Sequence, residues 1–210
     1  MSALADLALL ALALGLLLGI AGVTGALAGG RRALAARIGA GVGALVALYA
    51  VALLGVAFAS RERVLAIGEE KSVSGFDPHL HFHVTGPPVR DPDGGLEVTV
   101  LLRSDALRAV QDPASLAAVL VDARGRRWRP VIASTAGVDR VHGLVPFGRR
   151  LAPGESYVAT LAFHPDSEAT GLRLLVTEAG WPCLVVIGHE RSPFHRQTYF
   201  ALGPAGPGEP

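Results

Sequence analysis

Two membrane-crossing helices followed by an all-β sandwich is the architecture that three features of this sequence predict. The first 60 or so residues of a 210-residue chain are almost devoid of charge. From Arg61 onward, apolar residues recur at every second position, and the breaks between these runs are rich in Gly, Pro, Asp and Ser. The formal net charge of +1 therefore averages over two different polymers, an apolar part over 1–60 and a soluble part over 61–203. The soluble part is long enough to bury a core without disulfide staples.

The apolar part contains two candidate spans, about 4–27 and 38–59. The first is interrupted only by Asp6, and the second carries no charge. Each exceeds the roughly 20 residues that cross about 30 Å of hydrocarbon. A cleaved signal peptide is the alternative for the first span, but it requires a basic start, and "MSALAD" has none. Arg31, Arg32 and Arg37 lie between the spans and none precedes them, so the positive-inside rule puts that loop in the cytoplasm. The expected location is the cytoplasmic membrane, with the N-terminus and the C-terminal domain both outside. "RER" after the second span argues in the opposite direction with fewer charges.

Each span places two glycines on one helix face, Gly15/Gly19 and Gly39/Gly43. Such pairs let backbones approach closely. They serve either the packing of this hairpin on itself, the favoured reading, or an oligomer in the membrane.

In the soluble part, "LHFHV", "LEVTVLL", "LAAVLVD", "WRPVI", "SYVATLAF", "LRLLVTE", "CLVVIG" and "TYFAL" are candidate strands. "LVDARGRRWRPV" has the form of a hairpin turning at Arg124 and Gly125. In "SYVATLAF", Tyr157, Ala159, Leu161 and Phe163 share one face. "SDALRAVQDPASLA" has room for one short helical turn. Seven or so short strands at regular spacing indicate an immunoglobulin-like β-sandwich. The Gly/Pro-rich tail over 204–210 is expected to be disordered.

The chemistry-bearing residues are mainly histidines. His79, His81 and His83 alternate with Leu80, Phe82 and Val84, so a strand sends the imidazoles to one face and the apolar side chains to the core. Adjacent members of the trio are about 7 Å apart at Cα, close enough for a pair to chelate one ion. "GHERSPFH" supplies further donors in His189, Glu190 and His195. The candidate metal set is therefore His79, His81, His189, Glu190 and His195, suited to zinc or copper(II). The opposing reading makes the strand histidines a solvated face and the loop histidines turn caps, and it leads. His142 and His164 stand alone.

Cys183 is the single cysteine, so no internal disulfide forms; its apolar surroundings suit a buried thiol. Ser192 lies near His189 and His195, a weak hint of a hydrolase. No phosphate-binding glycine loop or nucleophile elbow is present, and neither an enzyme nor a cofactor is expected. "RGRRWR" suits an edge strand rather than a nucleic-acid surface.

The soluble part resembles an uncharacterised bacterial family of membrane-anchored proteins with a telokin-like, that is immunoglobulin-like, extracytoplasmic domain. The likeness runs through most of 65–202 and rests on "GEEK", "DPHL", "VDARGRRW", "LAPGESY", "RLLVTE" and "IGHERSPFHRQTYF". His79, His189, Glu190, His195, Thr198 and Tyr199 fall on matching positions. Ser74 and Pro78 stand where the family often carries cysteines, so the small disulfide loop implied by the resemblance is missing. The resemblance implies a fold and a location, not an activity. The leading expectation is a binding or interaction module for another membrane or envelope protein, with the opening strand and the closing loop as its distinctive surface. The alternative is an extracytoplasmic zinc- or copper-binding protein.

Overall fold

A computed structural model describes residues 2–72, 80–91, 94–131, 147–178, 182–204 and 206–207. His79, His142 and the Ser74/Pro78 pair lie outside the described residues. The chain divides into two compact units, Met1–Arg61 with Trp181–Arg196, and Glu62–Gly180 with Gln197–Pro210. The first division falls between Arg61 and Glu62. The uninterrupted domain over 61–203 is not found, because 181–196 groups with the helices.

In the first unit, α1 (Ser2–Ala28) and α2 (Arg32–Ala59) fold back on each other through a tight turn at Gly30, whose φ of 70° is open to glycine at little steric cost. Gly15, Gly19 and Gly22, spaced four and three residues apart, share one face of α1. A Cβ built on Gly19 would lie 2.2 Å from Val42 Cγ2, one on Gly15 2.8 Å from Leu45 Cδ2, and one on Gly22 3.3 Å from Ile38 Cδ1. These glycines thus admit the branched side chains of α2. Gly39 and Gly43 have nothing within 4 Å of such a Cβ, so they take no part in this packing. Most large side chains of α1 point outward, Leu4 being 76% and Leu17 67% exposed.

The second unit is β-sheet. Its strands are β1 (Arg63–Leu65), β2 (Lys71–Ser72), β3 (Leu80–Val84), β4 (Val89–Arg90), β5 (Leu96–Ser104), β6 (Leu116–Val121), β7 (Arg127–Trp128), β8 (Ser156–Phe163), β9 (Arg173–Glu178), β10 (Thr198–Ala201) and β11 (Gly206–Pro207). One sheet has the order β1-β10-β9-β6-β7. The other runs β11-β4-β5-β3-β2, with β8 on the far edge of β5. Pairing is antiparallel apart from β1 with β10 and β11 with β4.

The two sheets share one core. Phe82, Val100, Leu102, Leu161 and Phe163 come from one, and Leu116, Leu120, Leu174, Val176 and Phe200 from the other. The rings of Phe82 and Phe200 meet across the layer at 5.6 Å. Each such side chain withdrawn from water contributes about 1.5–3 kcal/mol. The alternation predicted for β3 is observed, with Leu80, Phe82 and Val84 buried and His81 and His83 half-buried. In β8, Leu161 and Phe163 are buried, and Tyr157 and Ala159 pack against the same core.

Several sequence motifs act as structural clamps. In "GEEK", Lys71 is buried and its Nζ donates to the carbonyls of Val176 (2.9 Å) and Thr198 (3.2 Å), joining the two sheets. In "VDARGRRW", Asp122 Oδ1 accepts from the amides of Arg124 and Arg126, and Oδ2 accepts from Arg126 Nε at 2.8 Å. Burial alone would raise the Asp122 carboxyl, but the hydrogen bonds and charge of Arg126 outweigh it and hold the group below its usual range. In "LAPGESY", Glu155 closes the turn by accepting from Ala152 N at 2.9 Å, with Arg149 beside it.

Two expectations fail. "CLVVIG" is not a strand: Pro182–Leu184 form a short 3-10 turn and further turns follow. An apolar run this short fits a strand and any other shielded segment equally well. The tail is not wholly irregular either, since β11 within it pairs with β4. The backbone polar groups of an edge strand accept any neighbouring chain of suitable length. Residues 205 and 208–210 lie outside the described residues.

Candidate functional site

The strand histidines and the "GHERSPFH" loop belong to different units, and each has its own chemistry. On the sheet, β3 pairs with β5 so that His81 opposes Arg103, and with β2 so that it opposes Ser72. This register gathers an imidazole, a guanidinium and two carboxylates. Glu70 Oε1 accepts from Arg103 at 2.7 Å and lies 2.9 Å from His81 Nδ1, while His81 Nε2 lies 2.8 Å from Asp105 Oδ2. Both ring nitrogens therefore face carboxylates. A metal ion at His81 would have to displace one of these carboxylates from the ring.

Sequence reasoning did not find Glu70, Arg103 or Asp105 as partners of His81. The "EE" of "GEEK" and the "RSD" that ends β5 were visible, but the strand register that brings them together was not.

In the other unit, the loop is a succession of turns. His189 N donates to Val186 O, Ser192 N to His189 O, and His195 N to Ser192 O. Ser192 is buried, and its Oγ donates to the His189 carbonyl at 2.6 Å, so the hydroxyl holds the turn instead of aligning on an imidazole. His189 is also buried; its Nδ1 accepts from Arg191 N at 3.1 Å. His195 Nδ1 donates to the Arg196 carbonyl at 2.8 Å. Glu190 is half-buried beside His189. A pair that the spacing did not suggest is Cys183 with His189, both buried, whose sulfur and ring nitrogen lie within 4.8 Å.

Of the predicted metal set, then, His81 sits in a carboxylate network in the sheet unit. His189, Glu190 and His195 sit in the turns of the other unit, and His79 lies outside the described residues. A separate concavity in the sheet unit, lined by Arg90, Thr170, Leu172 and Arg173 among others, offers guanidinium and hydroxyl groups but no carboxylate, imidazole or thiol.

No family model and no curated protein matches the chain. Among solved structures it is similar to the secreted protein MPT63 of Mycobacterium tuberculosis, with a TM-score of 0.44 and 12% identity, covering 67% of this chain and 98% of that one.

Proposed function

We propose that the chain is a two-span membrane anchor carrying an immunoglobulin-like sandwich outside the cytoplasmic membrane, and that the sandwich is a binding module for another membrane or envelope protein. The observation that carries the anchor is the surface of the helical pair. Both helices are long and apolar enough to cross a bilayer, yet few of their apolar side chains are buried. An apolar surface of that extent is matched by lipid, not by water. The close fit of Gly15 and Gly19 against α2 supports a permanent two-helix element over a first helix that is removed.

The binding role is supported by the loop after β5. There Leu107 is 89% exposed, the highest value for a large apolar side chain among the described residues, with Val110 at 59%. The test is protease treatment of intact spheroplasts and of inverted vesicles, combined with a photo-crosslinking residue at position 107. Digestion of the sheet unit in spheroplasts, with a discrete crosslinked envelope protein, is expected. Digestion in inverted vesicles only would overturn the location, and no adduct under any growth condition would overturn the binding role.

A further inference from the structure

The 181–196 segment interrupts the sheet domain in sequence and groups with the helices in space. Its attachment runs along α2, mostly on the face of Tyr49, Val56 and Ser60, with Phe58 engaged from the opposite side near the helix end. Tyr49 Oη donates to the Val185 carbonyl at 2.6 Å. A Cβ on Gly188 would stand 3.6 Å from Val56 Cγ1, an ordinary contact. The rings of Phe58 and Phe194 stack at 5.2 Å with 15° between planes. Arg196 N donates to Ser60 Oγ at 2.8 Å, and that hydroxyl itself donates to Ala57 O. Tyr49, Val56 and Ser60 are separated by two helical turns and then one, so they line a single stripe, and Ala57 beside them is 0% exposed.

The depth of these contacts follows from helix geometry. The uncharged run from Ile38 to Ala59 measures about 33 Å, close to the roughly 30 Å of a hydrocarbon core. Tyr49 stands at its midpoint, about 16 Å along the axis from Ser60. If this run spans the hydrocarbon, Val185, bonded to the Tyr49 hydroxyl, falls well inside that core, and Gly188 and Phe194, beside Val56 and Phe58, fall nearer its edge.

The residues at each level match. Those around the deepest contact are Cys183, Leu184, Val185, Val186 and Ile187, and the charged Glu190, Arg191 and Arg196 come only as the chain returns toward the helix end. Irregular backbone at membrane depth persists only where its polar groups find partners. The turn hydrogen bonds at His189, Ser192 and His195, the bond from Tyr49 to the Val185 carbonyl and that from Arg191 N to His189 Nδ1 meet part of this need. Phe194 has a φ of 65°, a region that bulky residues avoid, and this conformation holds a ring that is 67% exposed. Leu184 is 41% exposed.

We propose that Pro182–Phe194 is a re-entrant element of the membrane anchor, running along α2 within the hydrocarbon layer and presenting Leu184 and Phe194 to lipid acyl chains. This rests on the two-span reading of the helices. The element makes the second span a wider, lipid-facing wedge, and it explains why an apolar run with strand-like composition leaves the sheet.

The test uses the full chain with Trp128→Phe and Trp181→Phe, reconstituted in phosphatidylcholine vesicles brominated either deep or shallow in the acyl chain. Single reporters are Leu184→Trp, Phe194→Trp, Val51→Trp on the exposed side of α2, and Val158→Trp on β8. Leu184→Trp is expected to lose most of its emission with deep bromines, as Val51→Trp does. Phe194→Trp is expected to respond more to shallow ones, and Val158→Trp to neither. Quenching at position 51 with none at 184 or 194 would overturn the re-entrant element and leave the spans intact. No quenching at position 51 would remove both. Phe194→Trp keeps an aromatic ring on Phe58, so it reports even if Leu184→Trp disturbs the turn.

Discussion

The sharpest prediction concerns Gly19. A methyl group there would lie 2.2 Å from Val42 Cγ2, whereas unbonded carbons settle at about 3.5–4.0 Å. Gly19→Ala therefore forces the helices apart or drives Val42 off its rotamer, and overpacking of this kind costs about 1–3 kcal/mol. The substitution also gains up to about 1 kcal/mol of helix propensity, which would blur a single measurement. A double-mutant cycle removes that ambiguity, because the propensity gain appears in both arms containing alanine at position 19. In Val42→Ala the offending Cγ2 is gone, and the nearest remaining atom, Val42 Cβ, stands at 3.6 Å, an ordinary contact. The double variant should thus recover about 1–3 kcal/mol relative to the sum of the singles. Reversible unfolding of the full chain by sodium dodecyl sulfate in mixed micelles, followed by energy transfer between labelled helices, measures it. Gly43→Ala is the control: nothing lies within 4 Å, so it should be neutral or stabilising. A coupling below about 0.5 kcal/mol would refute the packing described for this face.

Two further expectations concern the sheet unit. Lys71→Met keeps the apolar stem but removes the ammonium that reaches Val176 O and Thr198 O, and should cost about 2 kcal/mol, a fall of roughly 1 M in the urea midpoint; an unchanged or raised midpoint would mean that burying the charge cancels its bonds. Asp122 has a folded pKa below its unfolded value, so its contribution is complete above about pH 4 and is lost as pH falls through the folded pKa. Asp122→Asn should therefore be less stable at neutral pH and lose stability less steeply in acid, and an acid limb parallel to that of the unsubstituted protein would refute the clamp.

How much of this was legible depended on the range of the interaction. The face of β3 was readable because the alternation of His81 and His83 with Leu80, Phe82 and Val84 is set within five residues. The turn at Gly125 was readable because Asp122 and Arg126 are close in sequence and their hydrogen bonds are local. The role of Lys71 was not, because its acceptors are more than 100 residues away. Nor were the carboxylates beside His81, which depend on the pairing of three strands. Gly15/Gly19 and Gly39/Gly43 look equivalent on a helical wheel, yet only the first pair meets the other helix. Rotation of α2 about its axis decides that, and spacing alone does not fix it.

The two histidine motifs make the same point about function. "HLHFH" and "GHERSPFH" are alike in composition, and both suggest ligands. In the sheet, the His81 ring faces two carboxylates, so its nitrogens are turned to ionic partners at the surface. In the loop, the polar groups turn inward to their own backbone: Ser192 Oγ to the His189 carbonyl, His189 Nδ1 to Arg191 N, His195 Nδ1 to the Arg196 carbonyl. A run of His, Glu and Ser that follows five apolar residues would satisfy an irregular chain in a place where water is scarce. Polar composition in that setting serves the backbone first.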